Sequence, residues 1–300
     1  MKTQNLLMAA FCILISVSCG PRTDKEYLSD VLQKMNKVES VSYKVVRQAW
    51  LPGEKDPVYT ITSEVYEHIN PQDTAIGSSF VEFQDNAFRG VYDGKVSSYV
   101  YEEEGEKWIR EDDFTTKSPL PFRMVMPEFF YYTQSILKYA ITTQDSIELS
   151  LKDLGDDYLM ELTIHMPVQV EFFGKARYMP QNPYVYDPTS VYKIWISKKD
   201  DMPYRYRREM EGNMNEASCS DFIYNPVDKE CIVATNYYPE GFEIVKKRQR
   251  SSKPTVDMTG KKAPDWTLTD MKGQKVSLSG IKSKVILLQF TGIGCGPCKI

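Results

Sequence analysis

Cys295 and Cys298, separated by Gly296 and Pro297, are the residues of this 300-residue chain whose type and spacing point most directly to chemistry. Thiols three positions apart lie on one side of a helix, so one can attack a disulfide and the other can release the product. A helix opening at this motif would place Cys295 at its N-terminus. Unpaired backbone N–H groups and the helix dipole there favour a thiolate and lower the thiol pKa from about 8.5. Pro297 is tolerated in such a first turn. The plainer uses of the pair are half of a zinc site or an inert bridge. Zinc normally takes four ligands, and no second close pair exists: Cys219 and Cys231 lie twelve apart. The two histidines, His68 and His165, are far apart in the chain, so no metal site is expected and a Ser-His-Asp triad has little material.

The elements that must position this pair precede it. Val285 to Phe290 (VILLQF) is a continuous apolar run, expected to form a strand buried on both faces, and it leads through Thr291-Gly292-Ile293-Gly294 into the motif. Upstream stand Ala263-Pro264-Asp265-Trp266, then Thr267-Leu268-Thr269, a turn at Asp270 to Gly273, and Val276-Ser277-Leu278. The Ala-Pro-x-Trp entry, the apolar strand and the Cys-Gly-Pro-Cys motif together resemble the membrane-tethered thioredoxin-like (redoxin) family of thiol–disulfide interchange proteins and cytochrome-maturation reductases, over about residues 256–300. Gly294 departs from the tryptophan that the family carries before its first cysteine, a change expected to alter packing or substrate preference there.

The resemblance implies an α/β thioredoxin-like domain with Cys295 as nucleophile and Cys298 as resolving thiol, and no cofactor. It also implies two classes of partner: exported client proteins with disulfides, and a membrane electron-donor protein. Gly296-Pro297 is the dipeptide of the family's reductants, so reduction or exchange is expected over oxidation. The peroxidase pattern Pro-x-x-x-Thr-x-x-Cys fails, because Leu288 and Gly292 occupy its proline and threonine positions. The sequence ends at Ile300, ahead of the helix, strands and cis-proline loop that the family fold requires. The expectation is therefore the front part of a longer chain, with little or no reductase activity as it stands.

The amino terminus reads as an address. Leu6 to Ile15 is an apolar run of ten residues, too short for a bilayer-spanning helix of ~20 residues and suited to a secretory signal. Ser16-Val17-Ser18-Cys19-Gly20 comes next and resembles a bacterial lipoprotein cleavage site, with Ser16 where leucine is usual. That resemblance implies that Cys19 carries lipid and anchors the chain to a membrane, in the cell envelope facing the periplasm; a plain secretory signal is the alternative. Export would permit a disulfide between Cys219 and Cys231, although a hairpin turn after Asn225 would put them on opposite sheet faces unless a bulge intervened.

Between these ends the pattern is mostly that of strands. Thr23-Asp24-Lys25-Glu26 is a capping box, and Leu28, Val31, Leu32, Met35 and Val38 succeed it at helical spacing. From Val41 to about Val245 the period becomes two, as in Val41, Tyr43 and Val45 or Tyr192, Ile194 and Ile196. Turns at Asp93-Gly94, Glu104-Gly105, Lys199 to Met202, Gly212-Asn213 and Asn225-Pro226 punctuate an antiparallel meander. One further helix is expected over Pro127 to Tyr139, started by Pro127, and a surface loop over Pro180 to Pro188. A helix followed by a long antiparallel sheet, with pieces such as Val91-Tyr92-Asp93-Gly94-Lys95, resembles the lipoprotein-carrier and sorting-protein half-barrel. That resemblance implies a concave apolar face able to hold a lipid or a partner. The plainer expectation is a spacer domain whose own aromatic residues fill its core, since tyrosine at alternating positions suits any half-buried strand.

The fold class expected is α+β. An antiparallel β-rich, half-barrel-like N-terminal domain with an N-terminal helix precedes the incomplete N-terminal half of an α/β thioredoxin-like domain. The segments are a signal peptide (1–18), a lipid-anchored tether (19–25), the β-rich domain (26–245), a basic linker (246–256) and the partial thioredoxin-like domain (257–300). Charge respects these divisions: residues 257–300 hold seven lysines against three aspartates, whereas the β-rich body is strongly acidic. The net charge of −4 argues against a nucleic-acid partner. The function expected is an exported thiol–disulfide oxidoreductase. The competing class is a non-enzymatic lipoprotein whose β-rich domain binds lipid or protein and whose redox end is vestigial.

Overall fold

A computed structural model describes residues 22–51, 53–103, 105–115, 125–182, 185–226, 231–246 and 259–288. The first helix, α1 (Asp24–Met35), begins at the expected capping box: the Glu26 N–H donates to Thr23 Oγ1, and the Thr23 N–H donates to Glu26 Oε2 at 2.8 Å. Its Leu28, Val31 and Met35 are buried, so the helical stripe is a core face. The second helix, α2 (Phe129–Thr142), starts two residues later than expected. Pro127 stands before the N-cap Glu128 instead of inside the first turn, because Glu128 takes the extended backbone of a cap.

Strands β1 (Ser40–Trp50), β2 (Tyr59–Ile69), β3 (Ser78–Gln84), β4 (Ala87–Tyr92), β5 (Val96–Glu103) and β6 (Glu106–Asp113) form one antiparallel meander. Strands β7 (Ile147–Asp153), β8 (Asp157–Ile164), β11 (Ser190–Ser197), β12 (Met202–Met210) and β13 (Asn213–Tyr224) form the other half. The hairpin β9 (Val170–Phe172) and β10 (Ala176–Tyr178) stands apart. The halves join where β1 pairs with β13, Val45 opposite Cys219, and β14 (Glu243–Val245) adds to β6 in parallel. The result is one 12-stranded sheet in the order β14-β6-β5-β4-β3-β2-β1-β13-β12-β11-β8-β7. A large antiparallel sheet covering two helices is the half-barrel-like arrangement expected of this part of the chain.

Alternation decides what each face meets. Val41, Tyr43, Val45, Val65, Tyr192, Ile194 and Ile196 point toward the helices and pack with Leu28, Val31 and Met35 of α1 and Phe129, Phe130, Ile136 and Leu137 of α2. On the other face Tyr66, Val81, Val91 and Ile109 are covered by Ile232 and Ala234, with Tyr237, Tyr238 and Phe242 beside them. Turn chemistry is local. Asp93 Oδ1 accepts the N–H groups of Lys95 and Val96, each at 2.8 Å, and Gly94 takes the positive φ that the turn needs.

The C-terminal part forms a small hairpin, β15 (Thr267–Thr269) and β16 (Lys275–Ser277), at the expected position. Asp270 Oδ1 holds its turn by accepting from Lys272 N and Gln274 N, each at 2.8 Å. The strand expected from Val285 is corrected: residues 285–288 form no strand, and Val285 and Leu287 are 84% and 89% exposed. A strand buried on both faces needs neighbours to take its backbone hydrogen bonds and layers to cover its side chains. Among the described residues nothing supplies either, and residues 289 and 290 lie outside them.

Candidate functional site

The sequence-derived redox pair Cys295 and Cys298, with Gly296 and Pro297, lies outside the described residues, as does the lipidation candidate Cys19. The approach to the pair is described as far as Leu288. Asp265 ties the Ala263-Pro264-Asp265-Trp266 entry to the end of the hairpin, accepting from Ser279 N at 2.9 Å and Ser279 Oγ at 2.8 Å. The Leu278 N–H donates to the Trp266 carbonyl at 3.0 Å. The hydroxyl and the amide N–H of Ser279 hold the Asp265 carboxyl below its ordinary pKa. This Asp265–Ser279 clasp was not legible in the sequence, since its partners are fourteen residues apart and share no periodic pattern.

Cys219 and Cys231 are not brought together; both are free thiols, Cys219 buried and Cys231 exposed. The reason is strand pairing. β13 continues its ladder along β1, which places Cys219 on the helix-covered face opposite Val45, while Cys231 lies beyond the end of that strand. Burial pushes the Cys219 thiol well above its usual pKa, against the opposing pull of Arg47. A buried neutral thiol of this kind is a packing group and a poor nucleophile.

The helix-covered face holds two ionic centres that the sequence reading passed over. Arg47 continues the inward alternation of Val41, Tyr43 and Val45, so its orientation was available from period two, but its partners were not. Its guanidinium lies between Glu82, at 2.8 Å, and Glu128, and the Ser63 hydroxyl donates to Glu82 at 2.6 Å. Those two carboxylates keep Arg47 firmly protonated despite burial. With Glu128 turned to Arg47, the cap residue of α2 makes no side-chain cap bond. Glu67 on β2 supplies the missing acceptor, taking the N–H of Phe130 at 2.8 Å, the N–H of Tyr131 at 3.3 Å, and the Tyr43 hydroxyl. Burial, reinforced by the charge of Glu128, raises the Glu67 pKa to about 8 in spite of these three donors. Burial also raises that of Glu128, with Arg47 opposing.

At the second centre Glu171 on β9 binds Arg208 and accepts from Tyr132 Oη at 2.7 Å, Tyr192 Oη at 3.2 Å and the Phe172 N–H at 2.8 Å. Both centres fasten elements that carry no ladder bonds to the sheet: α2 at the first, the β9–β10 hairpin at the second. Neither pairs a nucleophile with a base. Aromatic rings fill the space between them, with Tyr206 stacked on Phe129 at 5.9 Å and 4.9 Å from Tyr132, and Phe172 5.0 Å from Tyr192. The helix-covered face is thus packed with the domain's own aromatic side chains. No group of three or more His, Cys, Asp or Glu among the described residues is placed to hold a metal ion. Nor is any helix among them long and apolar enough to cross a membrane.

Comparison with known proteins gives sequence likeness over a short stretch. No known family profile matches the chain. It is 42% identical over 40 residues to the thiol-disulfide oxidoreductase ResA of Bacillus thuringiensis (strain Al Hakam), which is 13% of this chain and 23% of that protein. It is 42% identical over 45 residues to ResA of Geobacillus kaustophilus (strain HTA426), 15% of this chain and 26% of that protein. The chain thus spans about a quarter of the length of these curated relatives. Among solved structures, the lipoprotein LppX of Mycobacterium tuberculosis overlaps 69% of this chain and 99% of its own at 9% identity and a TM-score of 0.32. A LolA superfamily protein of Nitrosomonas europaea overlaps 71% of this chain and 97% of its own at 8% identity and a TM-score of 0.23. Overlaps this loose carry no inference about ligand or partner.

Proposed function

We propose that this chain is an exported thiol–disulfide oxidoreductase, anchored in the cell envelope through lipid on Cys19 and working through Cys295 and Cys298. The observation that carries the reading is the Cys295-Gly296-Pro297-Cys298 motif in a chain with 42% identity over 40 residues to thiol-disulfide oxidoreductases. In the reaction the Cys295 thiolate attacks one sulfur of a client disulfide, forming a mixed disulfide and releasing the other client sulfur as a thiolate that takes up a proton. The Cys298 thiolate then attacks Cys295, freeing the reduced client and leaving the Cys295–Cys298 disulfide. Two electrons pass to the client in each cycle. A membrane dithiol donor returns them.

The test is a trapping experiment in the full-length protein. Cys298→Ser removes the resolving thiol, so a disulfide-containing peptide should accumulate as a mixed disulfide on Cys295, visible by non-reducing mass mapping. Cys295→Ser should abolish the adduct. An adduct that forms equally well without Cys295, or none with Cys298→Ser, would sink the oxidoreductase reading. A second reading, a non-enzymatic lipoprotein whose β-rich body binds lipid or protein, is favoured by one observation. The curated match covers 13% of the chain, so the redox likeness does not extend over the 12-stranded sheet. The absence of any adduct would support that reading.

A further inference from the structure

Arg22, where the described chain begins, stands three residues after Cys19, and three residues of fully extended chain reach at most about 11 Å. If Cys19 carries lipid, as the proposed function holds, the β-rich domain has no room to stand away from the bilayer. The tether's short reach then decides which part of the domain touches it. We infer that the sheet rim around the start of α1, formed by Arg22, the β7–β8 turn and the β11–β12 turn, rests against a zwitterionic phospholipid surface.

The composition of that rim suits the headgroup zone. A cleft of about 410 Å3 opens beside Arg22, lined by Tyr27, Tyr158, Lys198 and Asp201 among others. The Tyr27 and Tyr158 rings lie 4.7 Å apart, with the Arg22 guanidinium 4.8 Å from the Tyr27 centroid and the Lys198 ammonium 4.3 Å from that of Tyr158. Tyr27 is itself a core residue whose hydroxyl donates to Asp201 at 3.0 Å. The rim therefore presents the half-buried Tyr158 ring with the long side chains of Arg22 and Lys198, whose apolar stems and wet tips suit the zone where hydrocarbon gives way to water. Leu154, 51% exposed, projects from the β7–β8 turn. That turn is bound to its neighbour, since the Lys198 N–H donates to the Asp156 carbonyl at 3.0 Å.

Charge selects the kind of lipid. Arg22 is paired with Asp30, Lys198 with Asp153 at 2.5 Å, and Lys34 with Asp201 at 2.5 Å. Asp24, Asp156 and Asp200 add negative charge to the same rim, and Lys25 and Lys199 do not outweigh them. The rim therefore offers no basic surplus to an anionic bilayer, and the anchor, not electrostatic attraction, holds it in place. Strand direction adds a consequence. From β7 across to β6 each antiparallel pairing aligns the same strand ends, and β14 runs parallel to β6. Val245 therefore leaves the sheet at the rim that carries the β7–β8 and β11–β12 turns.

The experiment uses the full-length lipidated protein in phosphatidylethanolamine–phosphatidylcholine vesicles, with Cys231, Cys295 and Cys298 replaced by serine. A fluorophore is placed at Leu154→Cys or, at the opposite rim, at Asn86→Cys, and quenching by headgroup-labelled lipid is read. Quenching should be several-fold stronger at position 154; equal quenching at both, or stronger quenching at 86, overturns the orientation. A flexible Gly/Ser insert of about 20 residues before Arg22, with an r.m.s. span of about 25 Å, should erase the difference. Persistence of the difference would overturn the tether as its cause. Acyl labelling of the wild type against Cys19→Ser separates the two claims: no difference in label removes the anchor itself, whereas normal label with equal quenching removes the orientation alone.

Discussion

Glu67 is a buried carboxylate held by neutral donors alone. It is fully buried beneath the start of α2, has no cation of its own, and receives three donors. An unfolded glutamate releases its proton near 4.5, whereas the folded one does so near 8. Between those values the folded state binds more protons, so stability should decline as pH rises from about 4.5 toward 8. Thermal unfolding of wild type and Glu67→Gln across that interval checks this; the variant should show a flatter dependence, and parallel curves would refute it. Glu67→Leu should be far worse than Glu67→Gln, since each donor left unpaired costs about 1–3 kcal/mol. The cysteines separate as sharply. In the folded protein Cys231 should react with a thiol reagent and Cys219 only after denaturation, and non-reducing mass mapping should find no bond between them. At this scale the inward positions of Arg47 and Cys219 could be read from alternation. The partners of Arg47 could not, because Glu82 and Glu128 lie 35 and 81 residues away along the chain.

Helices and strands were more legible than side chains, because their signals are local. The capping box fixed the start of α1, and Thr23→Ala should cost about 1 kcal/mol in chemical denaturation. The strands at Val41 and Tyr192 were readable from period two with one face buried. The joining of β1 to β13 had no such signal: it brings together residues far apart in sequence and depends on the whole sheet. The run from Val285 failed for a different reason. Its pattern describes a strand only in the company of neighbours, and apolar composition cannot supply the neighbours. Arg47 shows what depends on such distant contacts. Arg47→Met would leave Glu82 and Glu128 buried without a cation and should destabilise by about 3–5 kcal/mol, with Glu128→Gln in the same chain recovering part of the loss. Denaturant midpoints of the single and double variants measure this, and a purely additive result would mean that the two residues do not form one unit.

For the molecule as a whole, the segment from Cys231 to Val245 links the large sheet to the C-terminal part of the chain. Ile232 and Ala234 close the outer-face cluster of Tyr66, Val81, Val91 and Ile109. Tyr238 Oη lies 2.6 Å from Ser98 Oγ and donates to Glu111 at 2.9 Å, Ala234 N–H donates to Asp93 at 3.1 Å, and β14 then extends the ladder of β6. Ile232 and Ala234 are thus part of the sheet's own second core, and β14 belongs to its ladder. The helix-covered core, by contrast, contains none of this segment. The two faces should therefore respond differently to damage. Ile232→Asp places a charge in the outer cluster and should cost more than about 3 kcal/mol. Its native state should bind a hydrophobic dye while the near-ultraviolet dichroism of the Phe129, Tyr132 and Tyr206 aromatic group persists below the unfolding transition. If dichroism and dye response change together at every denaturant concentration, the two cores are one cooperative unit, and the segment's fold is inseparable from that of the helices.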